Sequence, residues 1–66
     1  MKAIIVHNID DENTRYLIPI DNINLITECI EDGDFVTKIW MKTPCNGGTK
    51  ISVLESLNDL YEKYNK

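Results

Sequence analysis

At 66 residues the chain has room for one small domain, close to the size below which folding needs disulfides or a metal. A hydrophobic fraction of 42% is too high for a disordered chain. Seven basic residues against eleven acidic ones leave a net charge of −4, which argues against binding nucleic acid through its phosphates.

The N-terminal apolar run, Ile4-Ile5-Val6, is too short for a signal peptide, and no segment approaches the length of a membrane span. The expected location is therefore cytoplasmic. Cys29 and Cys45 are expected as reduced thiols, since their spacing fits neither a CxxC redox pair nor a zinc ligand pair.

Lys2 to Asn8 is β-branched and predicts a first strand, with apolar residues on both faces, as in a strand covered on both sides. Asp10-Asp11-Glu12-Asn13 predicts a turn, and Arg15 to Ile20 a second strand forming a hairpin with the first. Pro19 cannot donate to a ladder, so this strand belongs at an edge or ends there. After a bend at Asp21-Asn22, Ile23 to about Ile30 predicts strand three. Asp32-Gly33 within Glu31-Asp32-Gly33-Asp34 is the dipeptide that favours a tight hairpin.

Strand four, Phe35 to Lys42, alternates Phe35, Thr37, Ile39 and Met41 against Val36, Lys38, Trp40 and Lys42. Thr43 to Gly48 has loop composition, and Thr49 to Val53 predicts a short last strand. Leu54, Leu57, Leu60, Tyr61 and Tyr64 recur at helical spacing, predicting a helix over Leu54–Tyr64. Ser52-Val53-Leu54-Glu55 reads as its capping box.

The expected fold is α+β over residues 1–66: an antiparallel meander sheet of four to five strands with one C-terminal helix packed on one face. One short helix covers one sheet face, which leaves Ile4, Val6, Leu17, Ile26, Ile30, Val36 and Trp40 in want of cover. Apolar surface in water costs roughly 25 cal/mol per Å², and large exposed patches mark interfaces. The reading is a homo-oligomer, joined through the second sheet face or a strand edge, with a strongly curled sheet that buries both faces on itself as the alternative. The interface candidates are Val36, Lys38, Trp40 and Lys42, because an aromatic among cations suits a protein interface.

No catalytic residue, metal site or cofactor is expected. His7 is the sole histidine and supplies neither a triad nor a ligand set; on its strand face it reads as a half-buried, hydrogen-bonded side chain. The acidic turns lack the ligand spacing of a calcium loop. Asn46-Gly47-Gly48-Thr49-Lys50 echoes a phosphate loop but precedes a strand, so the helix N-terminus that would complete it is missing. A weaker candidate ligand set is Arg15, Tyr16, Asn46, Gly47 and Gly48.

Three stretches carry a resemblance: Leu17-Ile18-Pro19-Ile20-Asp21-Asn22-Ile23-Asn24-Leu25-Ile26-Thr27-Glu28, then Phe35-Val36-Thr37-Lys38-Ile39, then Ile51 to Leu60. Together, over roughly Leu17 to Leu60, they resemble the first half of LytTR-type DNA-binding domains, and they are similar to small flagellar proteins of the FlbD type, whose whole length is about this size and pattern. The resemblance implies a shared scaffold and transfers no binding residue. The functional expectation is a non-enzymatic protein acting by self-association and protein binding. Its alternatives are a small-metabolite or nucleotide binder at an oligomer interface and a truncated LytTR-like DNA-binding module.

Overall fold

The computed structural model describes residues 2–45 and 48–65, with the backbone alone for residue 45. The elements are β1 (Ala3–His7), β2 (Arg15–Pro19), a 3-10 turn (Ile20–Asn22), β3 (Ile23–Glu31), β4 (Asp34–Cys45), β5 (Gly48–Val53) and α1 (Leu57–Tyr64). All strand pairs are antiparallel, as expected. The strands form two sheets, however, and not one meander: β1-β2, and β3-β4-β5.

The division falls at the 3-10 turn after Pro19. Pro19 ends β2, and the turn swings the chain out of the plane of the first hairpin before β3 begins. Asn22 fixes this corner by accepting hydrogen bonds from the backbone N–H and hydroxyl of Thr43, at 3.0 and 2.8 Å. The two sheets meet again at one point. Ile9 N–H donates to the Ser52 carbonyl and Leu54 N–H to the His7 carbonyl, around a bridge between Asn8 and Val53.

The hairpin can therefore fold its inner face onto that of the three-stranded sheet. Ile4, Val6 and Ile18 from the hairpin pack with Ile23, Ile39, Met41 and Val53 from the sheet and Leu60 from α1. Ile4 and Val6 thus need no outside cover, contrary to the expectation from a single sheet. β1 is also one-sided, with Ala3 and Ile5 exposed. On β4 the alternation holds: Thr37, Ile39 and Met41 are buried, while Lys42 is exposed and Val36 and Lys38 are half-buried on the other face. Phe35, at the far end of the inner row, lies beyond the reach of the hairpin and is 71% exposed.

The tight turn forms as predicted. Asp32 and Gly33 both have positive φ, 53° and 86°, the signature of the two-residue hairpin turn whose twist matches its strands. The turn before β2 is held by Asn8 and Asp11. Asn8 Oδ1 accepts from Asp10 N–H at 2.7 Å, and Asp11 Oδ1 and Oδ2 accept from Asn13 N–H and the Thr14 hydroxyl.

The helix begins three residues later than predicted. Val53 is buried in β5 and Leu54 N–H is committed to β1, so the chain stays extended through Val53. Ser56 is the N-cap: its hydroxyl accepts from Asp59 N–H at 3.1 Å, and Asp59 returns the bond to Ser56 N–H. Ser52 and Glu55 form no capping box. Leu60 is the helix residue fully buried in the core, while Leu54, Tyr61 and Tyr64 are exposed.

Candidate functional site

Cross-strand partners in an antiparallel sheet share a face, so the register defines the outer surface of the three-stranded sheet. Leu25 lies opposite Trp40, Thr27 opposite Lys38 and Cys29 opposite Val36; on the other flank Lys50 pairs with Trp40 and Ser52 with Lys38. Val36, Lys38 and Trp40 therefore share this face, and Lys42 continues the alternation at its end. Trp40 lies across it. Its indole N–H donates to the Thr27 hydroxyl at 3.2 Å, and the Lys50 ammonium sits 5.4 Å from the ring centroid, within cation–π range.

The cation against Trp40 is thus Lys50 from β5, not its neighbours Lys38 or Lys42 on β4. Lys38 turns to Glu31 in an ion pair. That partner holds the Glu31 carboxyl below its ordinary range and raises the Lys38 ammonium. With its charge paired and its side chain 17% exposed, Lys38 supplies mainly an aliphatic stem to the surface.

The candidate ligand set is brought together in part. Arg15, Tyr16 and Gly48 line one cleft between β2 and β5, of about 360 Å³, with Ile18, Lys50 and Ile51. Asn46 and Gly47 lie outside the described residues. Arg15 brings a guanidinium to the cleft, whereas the Lys50 ammonium is drawn over Trp40 on the outer face. The Tyr16 hydroxyl accepts from the Asn8 amide at 3.0 Å.

A second, larger groove of about 510 Å³ runs between β3 and α1, lined on one side by Ile23, Leu25 and Ile26 and on the other by Leu57, Tyr61 and Tyr64. It is mostly apolar. The aromatic pair that reads in sequence as the core side of the helix is instead the wall of this groove.

His7 and Glu55 make the tightest polar contact between distant parts of the chain. Glu55 Oε1 accepts from His7 N–H at 2.9 Å and Oε2 from the ring Nδ1 at 2.6 Å. Burial pushes the Glu55 carboxyl up, but the bonds from the His7 backbone and ring outweigh it and hold the group below its ordinary range. Lys63 stands 4.0 Å from the same carboxylate and donates to the Ile5 carbonyl at 2.9 Å. The cluster ties the segment before α1, and α1 itself, to β1. His7 is hydrogen-bonded and half-buried, as its strand position implies; no local pattern in the sequence marks Glu55 as its partner.

Cys29 is a free thiol whose nearest polar partner is the Val36 carbonyl at 3.8 Å. Among the described residues no three His, Cys, Asp or Glu side chains converge as a metal site, and no helix is long and apolar enough to cross a membrane. Comparison with known proteins returned no match, whether to a family model, a curated protein or a solved structure.

Proposed function

We propose that the protein is a small non-enzymatic module that acts by self-association and protein binding. The observation that carries this reading is the apolar surface on both flanks of β3. Ile30 is 65% exposed, Phe35 71% and Tyr61 70%, while Leu25 at 54%, Tyr64 at 41% and Trp40 at 36% extend the surface. The sole histidine is committed to holding β1 against the helix entry through Glu55. The outer face around Leu25, Val36 and Trp40 is the surface offered to a protein partner, with Trp40 as its anchor.

Light scattering on the purified protein over a hundredfold concentration range tests the self-association. A mass that climbs above 7.6 kDa with concentration supports it, and a constant 7.6 kDa removes it. A second reading, binding of a small metabolite or nucleotide, draws on the cleft where Arg15, Tyr16 and Gly48 meet. Thermal shift across a nucleotide and metabolite panel tests it, since a ligand at 100 times its Kd adds about 2.7 kcal/mol. The LytTR-like DNA-binding alternative has the net charge of −4 against it, and an anisotropy titration with duplex DNA at low salt decides it.

A further inference from the structure

Resting on the reading that the chain self-associates, the geometry points to the mode: two copies pair antiparallel along β3 around a two-fold axis at Thr27, each seating Ile30 in the other's groove between β3 and α1. The starting observation is a free edge. β3 ends the three-stranded sheet, and its register from Leu25 to Glu31 is regular. In a two-residue hairpin the residues flanking the turn, Glu31 and Asp34, exchange both backbone bonds, and bonded pairs then alternate along the ladder. Thr27 and Cys29 therefore bond to β4, whereas the N–H and C=O groups of Ile26, Glu28 and Ile30 point away from it. The same alternation carried across β4 turns the Ser52 carbonyl outward from β5, where it accepts from Ile9. Among the described residues no other backbone bonds to the outward groups of β3.

The second observation is that the two ends of this edge are complementary. Ile30 and Phe35 are cross-strand partners on the inner face, standing beyond the hairpin that covers the rest of that face. At the opposite end of β3, the groove lined by Ile23, Leu57, Tyr61 and Tyr64 is open. Leu60, buried in the core beside Ile39, places α1 on the same inner side of the sheet. A two-fold at Thr27 exchanges the two ends. Ile26 then bonds to Glu28 of the second copy and Glu28 to its Ile26, while Ile30 comes beside Asn24 at the mouth of the groove, with Phe35 behind it.

Neighbouring registers are worse. Centring on Glu28 sets two carboxylates directly opposite each other. Sliding the other way, to a centre on Ile26, sets Ile30 opposite Asn22, in the 3-10 turn and past the start of β3. The area is adequate: covering the exposed parts of Ile30, Phe35, Tyr61 and Tyr64 removes on the order of 500 Å² per chain, given roughly 150–250 Å² per aromatic side chain. Paired backbone and flanking side chains bring this toward the ~800 Å² per partner of a standard interface. The contact is isologous and closes on itself, leaving the three-stranded outer faces of both copies, each with its Trp40, as one six-stranded platform.

The test uses a Thr27→Cys variant in a Cys29→Ser, Cys45→Ser background. In this register the two Thr27 positions form a non-bonded pair with Cα atoms about 4.5 Å apart, inside the roughly 4.4–6.8 Å range a disulfide spans. Mild oxidation is expected to convert most of the variant to a covalent dimer that retains the native circular dichroism. In the otherwise native chain, Glu28→Pro removes an outward N–H without touching the β3–β4 ladder, and Phe35→Glu charges the knob. Each is expected to weaken dimerisation by at least about tenfold, the scale of a well-placed interface residue, while the control Glu12→Ala, exposed in the turn before β2, leaves it unchanged. A dimer that is insensitive to both substitutions, and that oxidation of the Thr27→Cys variant does not cross-link, overturns this mode while leaving self-association standing. A wild-type chain that stays monomeric overturns both.

Discussion

Replacing Glu55 by Gln isolates the contact that joins the two ends of the chain. Glutamine keeps the shape and an oxygen for the His7 N–H, but it sets an amide N–H₂ against the ring or loses the charge on the oxygen facing it. A hydrogen bond to a charged group contributes roughly 1.5–3 kcal/mol, and the half-exposed ring places this one at the low end, about 1–2 kcal/mol. For a domain of this size that is about 4–16 °C in Tm, out of a total stability of order 3–10 kcal/mol. The assay is urea unfolding at a fixed low protein concentration, so that any dimer linkage is constant. The Cm should fall at pH 7 with m unchanged.

The pH dependence carries the sign. The folded Glu55 carboxyl lies below its ordinary unfolded value. Its stabilisation is therefore complete above the unfolded value and lost as pH falls through the folded one. The gap between wild type and Glu55→Gln should shrink in acid, where both side chains are neutral. An unchanged Cm at pH 7, or a gap that does not narrow as pH falls below the unfolded value, refutes the reasoning.

Leu60→Ala empties the point where α1 meets both sheets, and should cost about 2–5 kcal/mol in urea unfolding because the side chain is fully buried. Ser56→Ala removes the helix cap in use and should cost about 1 kcal/mol, whereas Ser52→Ala, which caps nothing, should stay within about 0.5 kcal/mol. Gly33→Ala forces a side chain into φ +86° and should destabilise by about 1 kcal/mol, although the space around it is open. Equilibrium unfolding of the three serine and glycine variants separates local backbone effects from packing.

The elements are legible where a local signal fixes them. Asp32-Gly33 needs no tertiary context to turn, and the alternation of Thr37, Ile39 and Met41 against Lys38, Trp40 and Lys42 identifies the two faces of β4. The division into two sheets is not legible, because strand-by-strand alternation says nothing about which faces meet. A corner built by Pro19 and Asn22 leaves only a proline and a bend in the sequence. The helix start is ambiguous because Ser52-x-x-Glu55 and Ser56-x-x-Asp59 are both capping patterns, and burial of Val53 decides between them. At the candidate site, Trp40 stands out as an aromatic among cations. Its actual partners, Thr27 and Lys50, belong to neighbouring strands and depend on register. The groove walled by Tyr61 and Tyr64 is hidden because helical spacing assigns both to the core.

In the proposed dimer β3 is the edge through which two copies join, and amide hydrogen exchange reads that edge residue by residue. As protein concentration rises, the amides of Ile26 and Glu28 should gain protection, while those of Thr27 and Cys29, already bonded to β4, should change far less. Exchange of Ile26 and Glu28 at unprotected rates at every concentration would contradict it.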